Sequence, residues 1–193
     1  MILPIVAYGD PVLKKEAEEI NPDYPKLKEL IENMFETMEA ASGVGLAAPQ
    51  IGLSIRLFIV DTSPFVDDDE DDEEMLDLKG FRRVFINPII LDEEGEKWNF
   101  NEGCLSIPGV REDVSRRPKI TIEYYDEQFN LIEETYEGLR ARVIQHEYDH
   151  VDGILFTDRL NPLRKQFLRK KLENISRGVV DVEYRMKFPK LRR

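Results

Sequence analysis

Cysteine, histidine and tryptophan are scarce in this chain of 193 residues, which contains one cysteine, two histidines and one tryptophan. Because Cys104 has no second cysteine to pair with, an intrachain disulfide is excluded, which suits a reducing compartment such as the cytoplasm. No apolar run approaches the roughly 18 residues that a membrane-spanning helix requires. The stretch "MILPIVAYGDPVLKK" has neither the basic n-region nor the long apolar h-region of a secretory signal. We therefore expect a cytoplasmic protein without a membrane partner.

Basic residues are too few to offset the acidic ones. The chain has 27 lysines and arginines against 39 aspartates and glutamates, which gives a formal net charge of −12 at pH 7. Proteins that bind DNA or anionic lipid surfaces generally carry a basic face, so this balance argues against both partners. With 41% apolar and 34% charged residues the composition is that of a globular protein, and the length suits a single domain over residues 1–193.

Helical and then β patterns occupy the first two thirds of the chain. Asp10 followed by Pro11 is typical of an N-cap and a first helical position, which predicts a short helix over "PVLKKEAEEI". Apolar residues then recur at three- and four-residue spacing, which predicts an amphipathic helix at about residues 25–41. Between about residues 54 and 137, four β-branched or aromatic runs predict strands: "IRLFIVD", "RVFINPIIL", "KITIEYYD" and "LIEETYE".

Helical patterns return in the C-terminal part. "GLRARVIQHEYDHVDG" predicts one helix, and Asn161 as cap with Pro162 behind it predicts a second, basic helix over residues 161–178, followed by a tail at 179–193. This order predicts an α+β fold, with antiparallel or mixed β-sheets and with helices at both ends of the chain. The acidic stretch "FVDDDEDDEEMLD" at 65–77 predicts a solvated loop, because it lacks the turn glycine of an EF-hand calcium site.

Both histidines lie in "QHEYDH", four residues apart, with a glutamate directly after the first. Residues i and i+4 of a helix share a face, so His146 and His150 can present two imidazole nitrogens to one metal ion. Glu147 points about 100° away around the helix, which suits a general base acting on water beside the metal. Apolar residues surround the motif, so we predict a metal-binding helix at the centre of the fold.

The third ligand has two candidates, since a catalytic centre usually has three protein ligands and one open position. Cys104 in "NEGCLSIPG" lies in a stretch with little charge and would bind as a thiolate. Glu173 in "KKLENISRG" would indicate a thermolysin-like endopeptidase, although its basic neighbours also suit a surface ion pair. The residues favour Cys104 and leave both open. A non-catalytic structural metal is a third interpretation, but such sites usually have four protein ligands.

Three segments together make the chain resemble the peptide deformylase family. They are "GVGLAAPQ" at residues 43–50, "EGCLS" at 102–106 and "QHEYDH" at 145–150. The likeness extends from "YGDPVL" through "DGILFTDRLNPL", which is most of the chain. The resemblance implies that Cys104, His146 and His150 hold one divalent metal ion. It also implies Fe2+ in the cell, with Zn2+, Ni2+ or Co2+ able to substitute.

The resemblance further implies a reaction. The substrate would be the N-formyl-methionyl end of a newly synthesised polypeptide, and the products would be formate and a free amino terminus. Hydroxide on the cation would attack the formyl carbon, while Glu147 would take the proton of the water and later deliver it to the leaving amine. By the same resemblance, the Gln50 side-chain amide and the Leu105 backbone N–H would stabilise the oxyanion.

The substrate-binding residues are also implied by the resemblance. A peptide would lie along residues 43–45, and the methionine side chain would enter an apolar pocket. The implied contacts are Gly43, Val44, Gly45, Phe100, Glu102, Gly103, Arg111, Leu139 and Val143. Arg142 departs from the family pattern, since an apolar residue often stands at that position. We expect its stem to lie along the pocket or its side chain to turn outward.

Two further segments have alternative interpretations. The stretch at 65–77 resembles an insertion relative to compact members of the family, and it has no assigned role. The basic residues of the helix at 161–178 are either a solvated face or, by the resemblance, a contact with the ribosome.

Overall fold

The computed structural model of this chain describes residues 1–66 and 73–189, and in them the fold contains nine strands and four α-helices. The helices are α1 (Leu27–Ala40), α2 (Glu73–Leu76), α3 (Gly138–Val151) and α4 (Pro162–Ser176). The strands are β1 (Ile5–Val6), β2 (Gly45–Ala47), β3 (Leu57–Asp61), β4 (Arg82–Glu94), β5 (Trp98–Cys104), β6 (Ile107–Arg116), β7 (Lys119–Tyr125), β8 (Leu131–Glu137) and β9 (Met186–Lys187). The predicted α+β class is confirmed.

The strands form three sheets, and the largest packs against α3. The largest is antiparallel with the strand order β2-β3-β4-β7-β8, so β2 is an edge strand. Strands β5 and β6 form a separate antiparallel hairpin, and β1 pairs with β9 in parallel. The large sheet and α3 share one apolar cluster, in which Phe58, Phe85 and Ile122 pack with Ala141 and Ile144.

The side of α3 near the β5–β6 hairpin is polar. There His146 contacts Glu102 of β5, and Asp149 pairs with Arg116 of β6. Helix α3 therefore packs against the large sheet through apolar residues and against the β5–β6 hairpin through buried charged residues. This explains how a helix with nine buried residues can contain arginine, glutamate, aspartate and histidine among them.

The N-terminal helix predicted over "PVLKKEAEEI" is wrong beyond its first turn. Asp10 does cap it, accepting a hydrogen bond from the Val12 backbone N–H at 3.0 Å, but only a 3-10 helix at Pro11–Lys14 forms. The following residues are extended because their backbone groups bond to other segments. Glu18 donates to the Ser54 carbonyl and accepts from the Arg56 N–H, at 3.0 and 2.8 Å.

Other predicted elements are confirmed or revised in the structure. Helix α1 forms within the predicted 25–41, and α4 starts after Asn161, whose side chain accepts from the Arg164 N–H. In the acidic stretch at 65–77, residues 67–72 lie outside the described part, and Glu73–Leu76 forms a short helix rather than a loop. None of the helices in the described ranges is long and apolar enough to cross a membrane.

Candidate active site

Helix α3 and the β5–β6 hairpin bring the three candidate metal ligands together. Ligand atoms of Cys104, His146 and His150 all lie within 4.8 Å of one another. The Cys104 Sγ is 3.4 Å from His150 Nε2, and the two imidazole centroids are 5.2 Å apart. Sulfur and imidazole nitrogen are donors that suit zinc and related transition-metal ions. The ligand atoms of these three side chains are therefore close enough together to bind one metal ion, as the sequence predicted.

His150 is buried in the form that a metal requires. Its side chain is 1% exposed, and its Nδ1 has no hydrogen-bond partner among the described residues. Burial holds the pKa of His150 well below its usual range, which favours the neutral ring. The other ring nitrogen, Nε2, faces the Cys104 thiol at 3.4 Å, and a neutral imidazole can bind a cation through that nitrogen.

Glu147 lies beside these ligands without being one of the cluster. It is 4% exposed, and its Oε2 has no hydrogen-bond partner within the described ranges. Burial raises the pKa of Glu147 to about 7, which is the range of an effective general base near neutral pH. The Gly45 backbone lies unusually close to the Glu147 side chain, since a Cβ at position 45 would be 2.5 Å from Glu147 Oε1. A side chain at position 45 would therefore displace the Glu147 carboxyl.

The ring of His146 is oriented by a buried network of charges. Its Nδ1 lies 2.9 Å from Glu102 Oε1, which leaves Nε2 for a metal. Arg116 donates to both oxygens of Glu102, at 2.8 and 2.9 Å, and also to Asp149 Oδ2 at 2.7 Å. Burial alone would raise the pKa of Glu102, but hydrogen bonds from His146 and Arg116 hold it well below its usual range. Arg159 extends this network of charged residues by donating two hydrogen bonds to Asp149.

Arg142 faces inward and belongs to the same network. Its side chain is 2% exposed, and its guanidinium donates to Glu102 Oε2 at 2.9 Å. It also donates to the backbone carbonyls of Val114 and Trp98, each at 2.8 Å. Of the two positions expected from the sequence, the inward one is therefore observed, and it adds a second cation to Glu102.

Gln50 is oriented so that its amide NH2 points into the site. Its Oε1 accepts the Ala47 backbone N–H at 2.9 Å, which directs Nε2 toward Cys104 Sγ and Ser106 Oγ at 3.4 and 3.3 Å. Gln50 is 1% exposed, so these bonds are shielded from water. The 3-10 helix at Ala48–Ile51 carries it, and the proline at its start suits that position.

A cavity of about 560 Å³ opens onto these groups. Cys104, His146, Glu147, Gln50 and Leu105 contribute to its wall. The residues expected from the sequence to contact substrate that also line it are Gly43, Val44, Gly45, Phe100, Glu102, Gly103, Arg111 and Val143.

Leu139 is not among the lining residues, because it sits in the first turn of α3, two turns away from His146.

Glu173, the alternative third ligand, lies elsewhere. Its carboxylate pairs with Arg177 on α4, at 3.1 Å, and it is not part of the Cys104–His146–His150 cluster. The structure therefore favours Cys104 as the partner of the two histidines.

A sequence profile of the polypeptide deformylase family matches residues 2–166. The chain belongs to this family. Among its relatives, the peptide deformylase of Flavobacterium psychrophilum is 64% identical over 194 residues, covering 100% of both chains. That of Christiangramia forsetii is 63% identical over 190 residues, covering 98% of this chain and 97% of the relative.

Solved deformylase structures share the fold. The peptide deformylase of Thermus thermophilus is similar with a TM-score of 0.77 and 44% identity, covering 91% of this chain and 98% of that one. That of Ehrlichia chaffeensis has a TM-score of 0.79 and 33% identity, covering 94% and 100% of the two chains. These similarities confirm the family resemblance read from the three sequence motifs.

Some residues of this deformylase site could not be found by sequence reasoning. Arg116 and Asp149 look like ordinary surface charges in the sequence, because nothing in their local pattern marks them as buried. Arg116 alternates with exposed residues along β6, and Asp149 lies between two residues of the histidine motif. Only the packing of the hairpin on α3 brings them within hydrogen-bond distance.

Proposed function

We propose that this protein removes the formyl group from the N-terminal formyl-methionine of newly synthesised polypeptides, releasing formate and a free amino terminus. The observation that carries the proposal is the convergence of Cys104, His146 and His150 beside the buried carboxyl of Glu147. Membership of the polypeptide deformylase family supports the same reaction. We further propose that it acts in the cytoplasm, where such polypeptides are made.

Cys104, His146 and His150 would hold one divalent metal ion, with Fe2+ expected in the cell and Zn2+, Ni2+ or Co2+ as substitutes. Such an ion, when bound, lowers the pKa of water and polarises a carbonyl oxygen. The Cys104 thiol, 3.4 Å from His150 Nε2, and the grouping of the three ligand atoms within 4.8 Å support a cation at this point. The bond from His146 to Glu102 would keep the second imidazole aimed at the same point.

Glu147 would serve as the proton carrier. Its Oε2 is buried without a partner among the described residues, so a water molecule in the cavity is the natural donor to it. Because burial raises its pKa to about 7, the carboxylate can accept a proton from water and return it to the leaving amine at neutral pH. Glu147 would thus act first as general base and then as general acid.

The Gln50 amide and the Leu105 backbone N–H would donate hydrogen bonds to the oxyanion that forms as the formyl carbon becomes tetrahedral. Gln50 is preorganised for this by the Ala47 N–H, which occupies its oxygen and leaves the NH2 group toward the cavity. Donors held in place before the reaction stabilise developing charge without reorganisation. Loss of one donor in such sites typically costs about 3–4 kcal/mol of transition-state stabilisation.

The substrate backbone would lie along residues 43–45, where β2 is the edge strand of the large sheet. An extended peptide can add to such an edge as a further strand. Gly43 and Gly45 present no side chain to such a peptide, and a Cβ at either would also meet Leu105 or Glu147 at 2.8 Å or less. The methionine side chain would enter the part of the cavity between Phe100 and Val143, with Gly103 and Arg111 near its opening.

The deciding experiment measures formate released from a formyl-methionyl tripeptide by protein purified without oxygen, with its metal content determined. The acetyl-methionyl tripeptide is the matched control, because it keeps the peptide and changes only the acyl group. Release of formate with one metal per chain supports the proposal. Cleavage of internal peptide bonds with no formate released would instead support an endopeptidase.

A contact between α4 and the ribosome remains a separate part of the proposal. On α4, Arg164 pairs with Glu112 and Lys171 reaches the Gly109 carbonyl, while Leu163 and Phe167 are 62% and 68% exposed. Exposed apolar groups among basic ones can bind folded RNA–protein surfaces. Co-sedimentation with ribosomes over a salt series, using the unmodified chain and a Lys165→Glu, Lys170→Glu variant that reverses two exposed charges of α4, tests it. Equal sedimentation of the two would contradict the contact.

A further inference from the structure

The segment after α4 returns to the active-site cavity and forms part of its wall. Val182 and Tyr184 line the same cavity as His146 and Glu147. The segment is held there by β9, since the Ile5 N–H donates to the Arg185 carbonyl and the Ala7 N–H to the Lys187 carbonyl, each at 2.9 Å. These residues lie beyond residues 2–166, which the family profile matches.

The conformation of the hairpin turn that contains Leu105 is not fixed by the hairpin alone. Cys104 pairs with Ile107, so Leu105 and Ser106 form a two-residue connection between β5 and β6. Two-residue hairpins are favoured when one or both turn residues have positive φ, because the turn then matches the twist of the strands. Neither Leu105 nor Ser106 has positive φ. Contacts from outside the hairpin are therefore needed to define the orientation of this turn.

Two such contacts exist, one to each carbonyl of the turn. The Tyr184 hydroxyl donates a hydrogen bond to the Leu105 carbonyl at 2.8 Å. The Tyr8 backbone N–H donates to the Ser106 carbonyl, also at 2.8 Å. The Leu105 carbonyl belongs to the central peptide of the turn, whose flip distinguishes the main turn types. Tyr184 thus holds the one peptide plane that the hairpin itself leaves least constrained.

We propose that Tyr184 is a positioning residue for the reaction, which holds the Leu105 turn so that the Leu105 N–H points at the developing oxyanion. This inference rests on the proposed function, because it takes Leu105 as an oxyanion donor. The Leu105 N–H belongs to the preceding peptide, between Cys104 and Leu105, which shares the Leu105 Cα with the central peptide. By fixing the central peptide, the Tyr184 hydroxyl fixes the ψ angle of Leu105 and so limits how the neighbouring peptide can turn. Tyr184 does not touch the reacting atoms and acts only through the turn.

The test compares Tyr184→Phe with the unmodified protein in steady-state formate release. Phenylalanine keeps the ring that packs on the core and removes only the hydroxyl. We expect kcat to fall about three- to ten-fold, the effect of one hydrogen bond, with KM within about two-fold, because the oxyanion contact is made in the transition state. Metal content and the thermal unfolding midpoint should match those of the unmodified protein.

Tyr24→Phe is the matched control, since Tyr24 and Tyr184 are both half-buried tyrosines that pack on the same apolar cluster and Tyr24 is outside the cavity. It should leave kcat unchanged. An unchanged kcat in Tyr184→Phe, while the unmodified protein releases formate, would overturn the positioning role and leave the proposed function standing. A fall in kcat accompanied by loss of metal or of thermal stability would also overturn it, in favour of a purely structural role. Absence of formate release from the unmodified protein would instead refute the proposed function.

Discussion

At the scale of single residues, Glu147 is a buried carboxyl whose Oε2 has no partner in the described part of the chain, next to three candidate ligands. We expect Glu147→Gln to lower the rate of formate release about 10²- to 10⁴-fold, because glutamine cannot accept the proton of water. Metal content should stay at one per chain, since Glu147 is not part of the ligand cluster. Elemental analysis beside the formate assay checks both. Loss of metal with loss of activity would mean that Glu147 is itself a ligand.

Gly45 provides a second test at this scale, because a side chain there meets Glu147. A Cβ would lie 2.5 Å from Glu147 Oε1, and a displacement of about 1 Å in a reacting group can cost on the order of 100-fold in rate. We therefore expect Gly45→Ala to reduce kcat about 100-fold while the protein stays folded. Gly80→Ala is the control: a Cβ there meets nothing within 4 Å, and the φ of +71° makes alanine costly to stability, but the site is untouched and kcat should be unchanged. Equal kcat for the two variants would contradict the close-approach argument.

Asp61 gives a pH-dependent prediction away from the site. It accepts the Ser63 N–H at 2.9 Å and a hydrogen bond from Arg82 at 3.1 Å. Burial opposes these bonds, but together they lower the pKa of Asp61 below 3.8. Because the folded-state pKa is lowered, the stabilisation is present above the unfolded pKa and is lost as the pH falls through the folded one.

We expect Asp61→Asn to lower the free energy of unfolding by about 1 kcal/mol, the contribution of a charge-assisted hydrogen bond at a partly exposed site. Urea unfolding should give the same difference at pH 7 and pH 5, and a smaller one below pH 3.8. A difference that disappears between pH 7 and pH 5 would contradict the lowered pKa.

At the scale of elements, Arg116 joins the β5–β6 hairpin to α3 by pairing with Glu102 and Asp149. Removing it would leave two buried carboxylates with fewer partners, which typically costs about 3–5 kcal/mol. We expect Arg116→Met to lower stability by this amount and to weaken metal binding about 10- to 100-fold, because Glu102 orients His146.

Arg117→Met is the control for this prediction. Arg117 is an exposed neighbour whose guanidinium reaches only the Gly95 carbonyl among the described residues. Chemical unfolding and a competitive metal-binding assay should separate the two variants. Equal behaviour would show that the buried pairs do not link the hairpin to the metal site.

The same element scale explains what sequence reasoning could reach. The pair of histidines one helical turn apart predicted a metal-binding face from periodicity alone, and α3 presents them together. Strands β5 and β6 were not predicted, because their half-exposed residues alternate with charges rather than forming an apolar run. The helix over "PVLKKEAEEI" was wrong because tertiary hydrogen bonds to Glu18 favoured extended backbone over local helix propensity.

The site divides in a similar way. Cys104 was favoured from its own surroundings and then supported by the family motifs, and Gln50 and Leu105 came from those motifs alone. Arg116 and Tyr184 make contacts across distant segments that no local pattern reveals. Arg142 could be placed near the pocket from its helix position, but its inward direction depends on Glu102 of another strand. The single-domain organisation over 1–193 and the roles of the site residues stay predictions.

At the scale of the whole molecule, the candidate metal centre joins two parts of the fold, with Cys104 from the hairpin and His146 and His150 from α3. A ligand that binds only the folded state stabilises it by mass action, by about 4 kcal/mol at a thousand times its dissociation constant. We expect removal of metal by a chelator to lower the thermal unfolding midpoint by about 10 °C. Adding back Zn2+ should restore it, whereas an unchanged midpoint after verified metal removal would contradict this role of the site.

The pairing of β1 with β9 has a consequence for the order of events during synthesis. Residues 182–187 leave the ribosome after every other residue that lines the cavity, yet Tyr184 braces a turn from the middle of the chain. Helix α3 is synthesised before this segment, so this wall of the cavity is added after the side chains of α3. On the proposed positioning role of Tyr184, formate release would reach its full rate only after Tyr184 has been synthesised and β9 has paired with β1.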